Sequence, residues 1–301
     1  MKTIPNLQHQ APSRENVCAV VVSYFPEGDF LFRLRQIQSQ VGQVVVVDNA
    51  SSEGMLKPLE AARAELGILI LRNQTNLGIA TALNQGTRWA KEKGYTWCLL
   101  FDQDTTPSSC MCQKLTEVYE HFPRKDRLAV LGSNYHSATS SESTVPDSQL
   151  WVERKTVITS GSLVSLAAME RIGPFRDEFF MDCVDFDFCL RARSLGFDVL
   201  EVIEPVMEHF IGAPTKHRIL WSQRNVFNHN PFRWYYKTRN NIVLCGEYLR
   251  KDPAWVIRAT CARILESLLM LLFEKSRIPK VKYMTAGLYD GFLGRLGKIV
   301  A

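Results

Sequence analysis

"LLFDQDTTP" (residues 99–107) carries an apolar run directly into two aspartates separated by one residue. Leu99, Leu100 and Phe101 have the character of the end of a buried strand, and Asp102, Gln103 and Asp104 that of the turn beyond it. Extended backbone would aim Asp102 and Asp104 to the same side. Carboxylates held that close repel unless a cation or donor lies between them. A hard divalent metal meets that need and bridges carboxylates to substrate phosphates. The plainer account is a turn whose aspartates cap a helix from Ser108 onward.

N-terminal to this stretch, strand and helix patterns alternate. "VCAVVVSY" (17–24), "QVVVVDN" (43–49), "ILILR" (68–72) and "TWCLLFD" (96–102) read as buried strands. Helical patterns cover 30–40, 55–66 and 78–94. This alternation predicts an α/β fold with a mostly parallel central sheet flanked by helices. Ligands of such sheets bind beyond the carboxyl ends of the strands, so Asp48 and Asp102 are expected to face one crevice.

C-terminal to it, residues 133–150 read as a Ser/Thr-rich surface loop. "DCVDFDFCLR" (182–191) then groups Asp182, Asp185 and Asp187 among phenylalanines. A helix over 184–195 would pair Asp187 with Arg191 at i,i+4 and set Asp185 at its N-terminal end, where the helix dipole favours a carboxylate. A carboxylate beside aromatic walls can also be tuned for general-base work. "DVLEVIEP" (198–205) is strand-like, and His209 follows it. Helices are predicted over 231–250, 253–275 and 279–296.

Composition narrows the classes. The 301 residues are 46 % apolar and 22 % charged, which suits a globular protein with a substantial core. The net charge of +5 is uneven: residues 216–239 hold six Lys/Arg and no acid, interleaved with aromatic residues. That run suits a diphosphate, an anionic lipid or RNA, or else a solvated face followed by a core-facing helix. Eight cysteines without a CxxC disfavour a zinc knuckle and fit a reducing cytoplasm. The polar N-terminus lacks the apolar core of a signal peptide, and no uncharged apolar run reaches the length of a membrane span. The basic and apolar residues beyond 253 suit a membrane surface, an oligomer contact, or packing on the preceding domain.

In order, "VVVSYFP", "VVVVDNAS", "NLGIATALNQG", "LLFDQDT", "TSGSLVS", "GPFRDEFFMDCVDFDFCLRARSLGF", "EHFIGAP" and "YYKTRNN" resemble family 2 of the inverting glycosyltransferases, in its rhamnosyltransferase branch. The resemblance spans about residues 17–245 and implies the GT-A fold. It divides the chain into a tail (1–16), a catalytic domain (17–245, with a nucleotide-binding half to 130 and an acceptor-binding half after it) and a C-terminal helical extension (246–301). It implies donor contacts from Ser23, Tyr24, Pro26, Asp48, Asn76, Gly78 and Asp102, with Asp48 on the nucleotide base. Asp102, Asp104 and His209 would hold a divalent metal, Mg²⁺ or Mn²⁺. Asp185 would be the general base, and Asp182, Asp187 and Arg239 would contact acceptor or diphosphate. Many members carry Glu-Asp where this chain has Val184-Asp185; rhamnosyltransferase-like members often lack that Glu, so Asp185 is kept as the base.

The implied activity is transfer of L-rhamnose from dTDP-L-rhamnose to a saccharide or lipid-linked acceptor in cell-surface polysaccharide synthesis such as O-antigen. The implied location is the cytoplasm, peripheral at the inner face of the inner membrane, with a homodimer as a further expected contact. Alternatives are a UDP- or GDP-linked donor, a nucleotidyltransferase on a similar sheet, and a non-catalytic RNA-binding protein using 216–239. The second would need a basic phosphate loop after the first strand, and "SYFPEGDF" has no Lys or Arg. Nucleic acid is otherwise not an expected partner.

Overall fold

The computed structural model describes residues 7, 10–26, 28–136, 149–209, 215–219 and 222–299. These form two compact units, one of residues 1–176 and 184–209 and one of 177–183 and 210–301.

The first unit is built on a nine-stranded sheet: β1 (Val17–Ser23), β2 (Gln43–Asp48), β3 (Leu69–Arg72), β4 (Trp97–Asp102), β5 (Thr106–Pro107), β6 (Leu128–His136), β7 (Trp151–Glu153), β8 (Ser162–Ser165) and β9 (Asp198–Glu208). Spatial order is β3-β2-β1-β4-β8-β6-β9-β5, with β7 on β9. The first four are parallel, and β1, β2 and β4 are buried almost throughout. That two-sided burial is why they read as continuous apolar runs.

Beyond β4 the expected parallel order fails. β8 lies antiparallel to both β4 and β6, β6 and β9 are parallel, and β5 and β7 lie antiparallel to β9. The sheet is therefore mixed, with four parallel and four antiparallel pairings among the described residues.

Helices α1 (Phe30–Gln38), α2 (Lys57–Leu66), α3 (Ile79–Glu92), α4 (Met111–His121), α5 (Leu166–Ile172) and α6 (Val184–Ser194) accompany the sheet. α3 lies tight on β1: a Cβ on Gly86 would fall 2.3 Å from Val20 Cγ1, so only glycine permits this approach. Two further expectations are revised. Residues 133–136 of the predicted loop continue β6, while 137–148 lie outside the described residues. The end of the predicted tail packs on the sheet, since Trp97 Nε1 donates to Gln10 O and Trp97 N to Asn16 O.

The second unit holds a hairpin, β10 (Thr215–Ile219) and β11 (Ser222–Val226), and three helices, α7 (Pro231–Tyr248), α8 (Pro253–Phe273) and α9 (Arg277–Phe292). Asn230 and Asp252 cap α7 and α8, each followed by proline at the first helical position. α7 is the core of this unit, with Trp234, Tyr235, Tyr236 and Leu244 buried. α9 packs against it through glycine: a Cβ on Gly287 would fall 2.4 Å from Tyr235 O. α7 thus belongs with the C-terminal helices rather than with a domain ending at 245.

Candidate functional site

The parallel register places Ser23 beside Asp48, Asp48 beside Arg72, and Val22 beside Asp102. Three adjacent strands thus deliver Ser23, Asp48 and Asp102 to one edge of the sheet, at their carboxyl ends.

Two loops there are tied together by Ser51. Its hydroxyl donates to Asp48 Oδ1 and accepts from Phe25 N at 2.8 Å, and its backbone N donates to Asp48 Oδ2 at 3.1 Å. Asp48 has no exposed surface. In this arrangement its carboxylate holds the loop 48–51 and lies 3.9 Å from the partly exposed Arg72. Ser23 is also buried, and its Oγ has no hydrogen-bond partner among the described residues. Tyr24 is exposed, edge-on to Phe25, and Pro26 is buried. Asn49 anchors the next loop, accepting from Leu77 N at 3.0 Å and donating to Gly78 O at 3.0 Å. Asn76 Oδ1 accepts from Gly78 N at 2.9 Å, which sets the start of α3.

Asp102, Asp104 and His209 come together. One ligand atom from each lies within 4.8 Å of the others, and His209 Nδ1 is 3.7 Å from Asp104 Oδ1. The Asp104 side chain is 53 % exposed, whereas that of His209 is 9 % exposed. A buried chain of hydroxyls holds the histidine. Asp102 N donates to Ser160 Oγ (3.0 Å), Ser160 Oγ meets Thr105 Oγ1 (2.6 Å), and Thr105 Oγ1 meets His209 Nδ1 (2.7 Å). The Thr105 bond to Nδ1 fixes the orientation of the His209 ring beside Asp104. Two carboxylates and an imidazole form a hard-to-intermediate donor set that fits Mn²⁺ or Mg²⁺ and leaves room for phosphate oxygens. Gln103 fixes the turn itself: Tyr24 N donates to Gln103 Oε1 (2.7 Å), and Gln103 Nε2 donates back to Tyr24 O (3.1 Å).

Ser160, Thr105 and Gln103 escaped the reading of the sequence as site residues. The only signal for Ser160 was "TSGS", in which it sits.

Asp185 lies in the first turn of α6, half-buried, with Oδ1 accepting from Phe186 N at 2.8 Å. Asp187 is different. It is fully buried, with Arg191 Nε at 2.8 Å and Arg176 at 3.2 Å. The predicted i,i+4 pair forms, with its carboxylate buried.

Within the second unit, Asp182 receives Arg233 at 3.0–3.1 Å. Burial pushes its carboxyl up, but Arg233 and Lys237 together hold it below the usual range. Arg239 is fully buried and donates to Glu178 O and Phe179 O. Asn240 Nδ2 lies 2.8–3.0 Å from the carbonyls of Phe179, Met181 and Asp182. These two side chains clamp a segment in which Phe180, Asp182 and Cys183 all have positive φ, a backbone state unfavourable for residues with side chains. Asp182 and Arg239 thus brace this segment from within. The same burial of Lys237, Arg239, Trp234, Tyr235 and Tyr236 removes much of the basic aromatic surface that RNA binding would need. Trp221 lies outside the described residues.

Comparison with known proteins bears on this arrangement. Residues 18–182, more than half of the chain, match the family described as "Glycosyl transferase family 2". The chain belongs to glycosyltransferase family 2. This family 2 glycosyltransferase is 29 % identical over 297 residues to the dTDP-rhamnosyl transferase RfbF of Shigella flexneri, covering 94 % of this chain and 97 % of that one. Its fold is similar to the mannosyltransferase PcManGT of Pyrobaculum calidifontis, solved with GDP-Man and Mn²⁺ (TM-score 0.52, 14 % identity, 93 % and 86 % covered). It is also similar to S. aureus TarS (TM-score 0.52, 17 % identity, 86 % of this chain), of whose length it spans 44 %. The architecture is that of GT-A glycosyltransferases.

Proposed function

We propose that this family 2 glycosyltransferase is an inverting rhamnosyltransferase that uses dTDP-L-rhamnose and a saccharide or lipid-linked acceptor. The observation that carries the reading is the convergence of Asp102, Asp104 and His209 at the carboxyl edge of the parallel strands. The similarity to a dTDP-rhamnosyl transferase along nearly the whole chain supports the choice of donor.

In this reading the loops after β1, β2 and β3 receive the nucleoside, with Tyr24 and Arg72 presenting the exposed surface and Asp48 holding them from beneath. Asp102, Asp104 and His209 hold the divalent ion, which when bound supplies positive charge beside the donor's diphosphate. Asp185 takes the proton from the acceptor hydroxyl. That oxygen forms a bond to the anomeric carbon as the carbon–oxygen bond to the diphosphate breaks, and dTDP leaves with the electron pair. A single displacement inverts the anomeric centre. Thr105 and Ser160 keep His209 oriented throughout. Eight free cysteines support a cytoplasmic location, where thiols stay reduced.

Thermal unfolding with Mn²⁺ and a panel of dTDP-L-rhamnose, UDP-N-acetylglucosamine and GDP-mannose tests the donor. A hundredfold excess over Kd should raise Tm by on the order of 5 °C for dTDP-L-rhamnose alone. Stabilisation by a UDP or GDP sugar without the dTDP sugar would reject the rhamnose assignment.

A further inference from the structure

α8 turns its most apolar face to solvent. Ile257, Ile264, Leu265, Leu268, Leu271 and Leu272 are 39–63 % exposed, while Trp255, Val256 and Met270 on the opposite side are buried. At 100° per residue the exposed apolar positions cover an arc of roughly 120° along a helix roughly 30 Å long. An arc of that width exceeds the narrow seam by which two helices pair. No charged side chain interrupts it: Glu266 faces inward, bonded to Lys237 and Arg263. α9 also exposes apolar side chains, with Ile278 85 % and Phe292 77 % exposed.

The charge around this face selects its occupant. Between residues 246 and 299 eight exposed charged side chains are basic, and Glu247 is the one exposed acid. Arg258 borders the α8 face, Lys275 lies at the junction between α8 and α9, and Lys282 follows on α9. The other acids are engaged internally: Glu274 with Lys280, Asp290 with Tyr235, and Asp252 in capping α8. A second copy bound through this face would set like charges against each other, because a two-fold interface is self-complementary. An apolar stripe with basic borders instead matches a bilayer surface, apolar beneath an anionic headgroup layer. No helix among the described residues is long and apolar enough to cross a membrane.

We infer that the outward face of α8, with Arg258 and Lys275 at its borders and Lys282 beyond it on α9, lies in the headgroup region of an anionic lipid bilayer. The inference stands on the surface of the second unit and is independent of the donor assignment, so either can fail without the other.

The test is flotation of the full chain with vesicles of phosphatidylcholine alone or mixed equally with phosphatidylglycerol, alongside light scattering for mass in solution. The protein should float with the mixed vesicles, far less with phosphatidylcholine, and less at 500 mM than at 100 mM NaCl. Ile264→Glu/Leu268→Glu/Leu272→Glu should abolish flotation. Arg258→Ala/Lys275→Ala/Lys282→Ala, which leaves the apolar face intact, should lower partitioning by roughly a hundredfold, at roughly fivefold per basic residue. Circular dichroism should show both variants as helical as the parent. No flotation of the parent, flotation unchanged by the glutamates, or a parental dimer made monomeric by them would overturn the inference; the last would assign the face to a second copy.

Discussion

Thr105→Val removes one oxygen from the hydroxyl chain and keeps the β-branched shape. Bonds of 2.6 Å to Ser160 and 2.7 Å to His209 are lost. Thr105 and Ser160 are each 1 % exposed, so no water replaces the missing partner of Ser160, which keeps only the Asp102 N–H. A buried hydroxyl that loses one of its two partners costs about 1–3 kcal/mol. His209, with 9 % of its side chain exposed, adds about 1 kcal/mol for the bond it loses. Stability should therefore fall by about 3 kcal/mol, read from the urea midpoint at unchanged m-value. The larger effect falls on the ion, since loss of the partner that orients a ligating histidine typically weakens metal binding 10- to 100-fold. Titration calorimetry with Mn²⁺ in the presence of dTDP measures this directly. Thr105→Ser keeps both bonds and should bind as the parent does. If Thr105→Val bound Mn²⁺ with parental affinity, the hydroxyl chain would have no part in holding His209 as a ligand.

Asp185→Asn should retain donor-induced thermal stabilisation while kcat falls by about 10²–10⁴; normal turnover would remove Asp185 as the base. Asn240→Leu removes the Asn240 donor from Met181 O and Asp182 O in a positive-φ segment and leaves Phe179 O with its other donors, and should destabilise the protein by about 2–4 kcal/mol; a change below 0.5 kcal/mol would mean the segment holds its own shape. His229 is pushed down to about 3, mainly by burial and then by Lys237 and Arg233, and despite Asp182. Its folded value lies below the unfolded one, so the neutral form's stability is present at pH 8 and is lost as pH falls below about 6.5. The loss should reach about 2 kcal/mol at pH 5, and His229→Gln should flatten the urea-midpoint profile between pH 5 and 8.

The half of the fold that holds the donor loops was legible because β1, β2 and β4 are buried on both faces, which forces unbroken apolar runs. β6 was legible only in part. Ser133–His136 are polar in sequence yet pair with β9 through an irregular register, a partnership 70 residues away. The hairpin of "TKHRI" and "SQRNV" shows no apolar alternation, so nothing local announces it. At the site, spacing alone drew Asp102 and Asp104 together, and the strand end located them. Ser160 reaches Thr105 across 55 residues, and no local periodicity encodes such a contact. The burial of Asp187 and Arg239 was not legible in the sequence, where charged residues read as surface groups. Each is buried because specific partners, Arg176 and Arg191 for one and backbone carbonyls for the other, satisfy it. Arg191 is local to Asp187, but Arg176 and the carbonyls of Glu178 and Phe179 come from other segments.

The central claim is that Asp102, Asp104 and His209 form the ion site of a nucleotide-sugar transferase. Titration of Mn²⁺ into the protein with saturating dTDP, for the parent and for Asp104→Ala, tests it most directly. The account predicts one nucleotide-dependent Mn²⁺ site in the parent, weakened at least tenfold in the variant. Equal Mn²⁺ binding by the two proteins, or no binding by the parent, would contradict it.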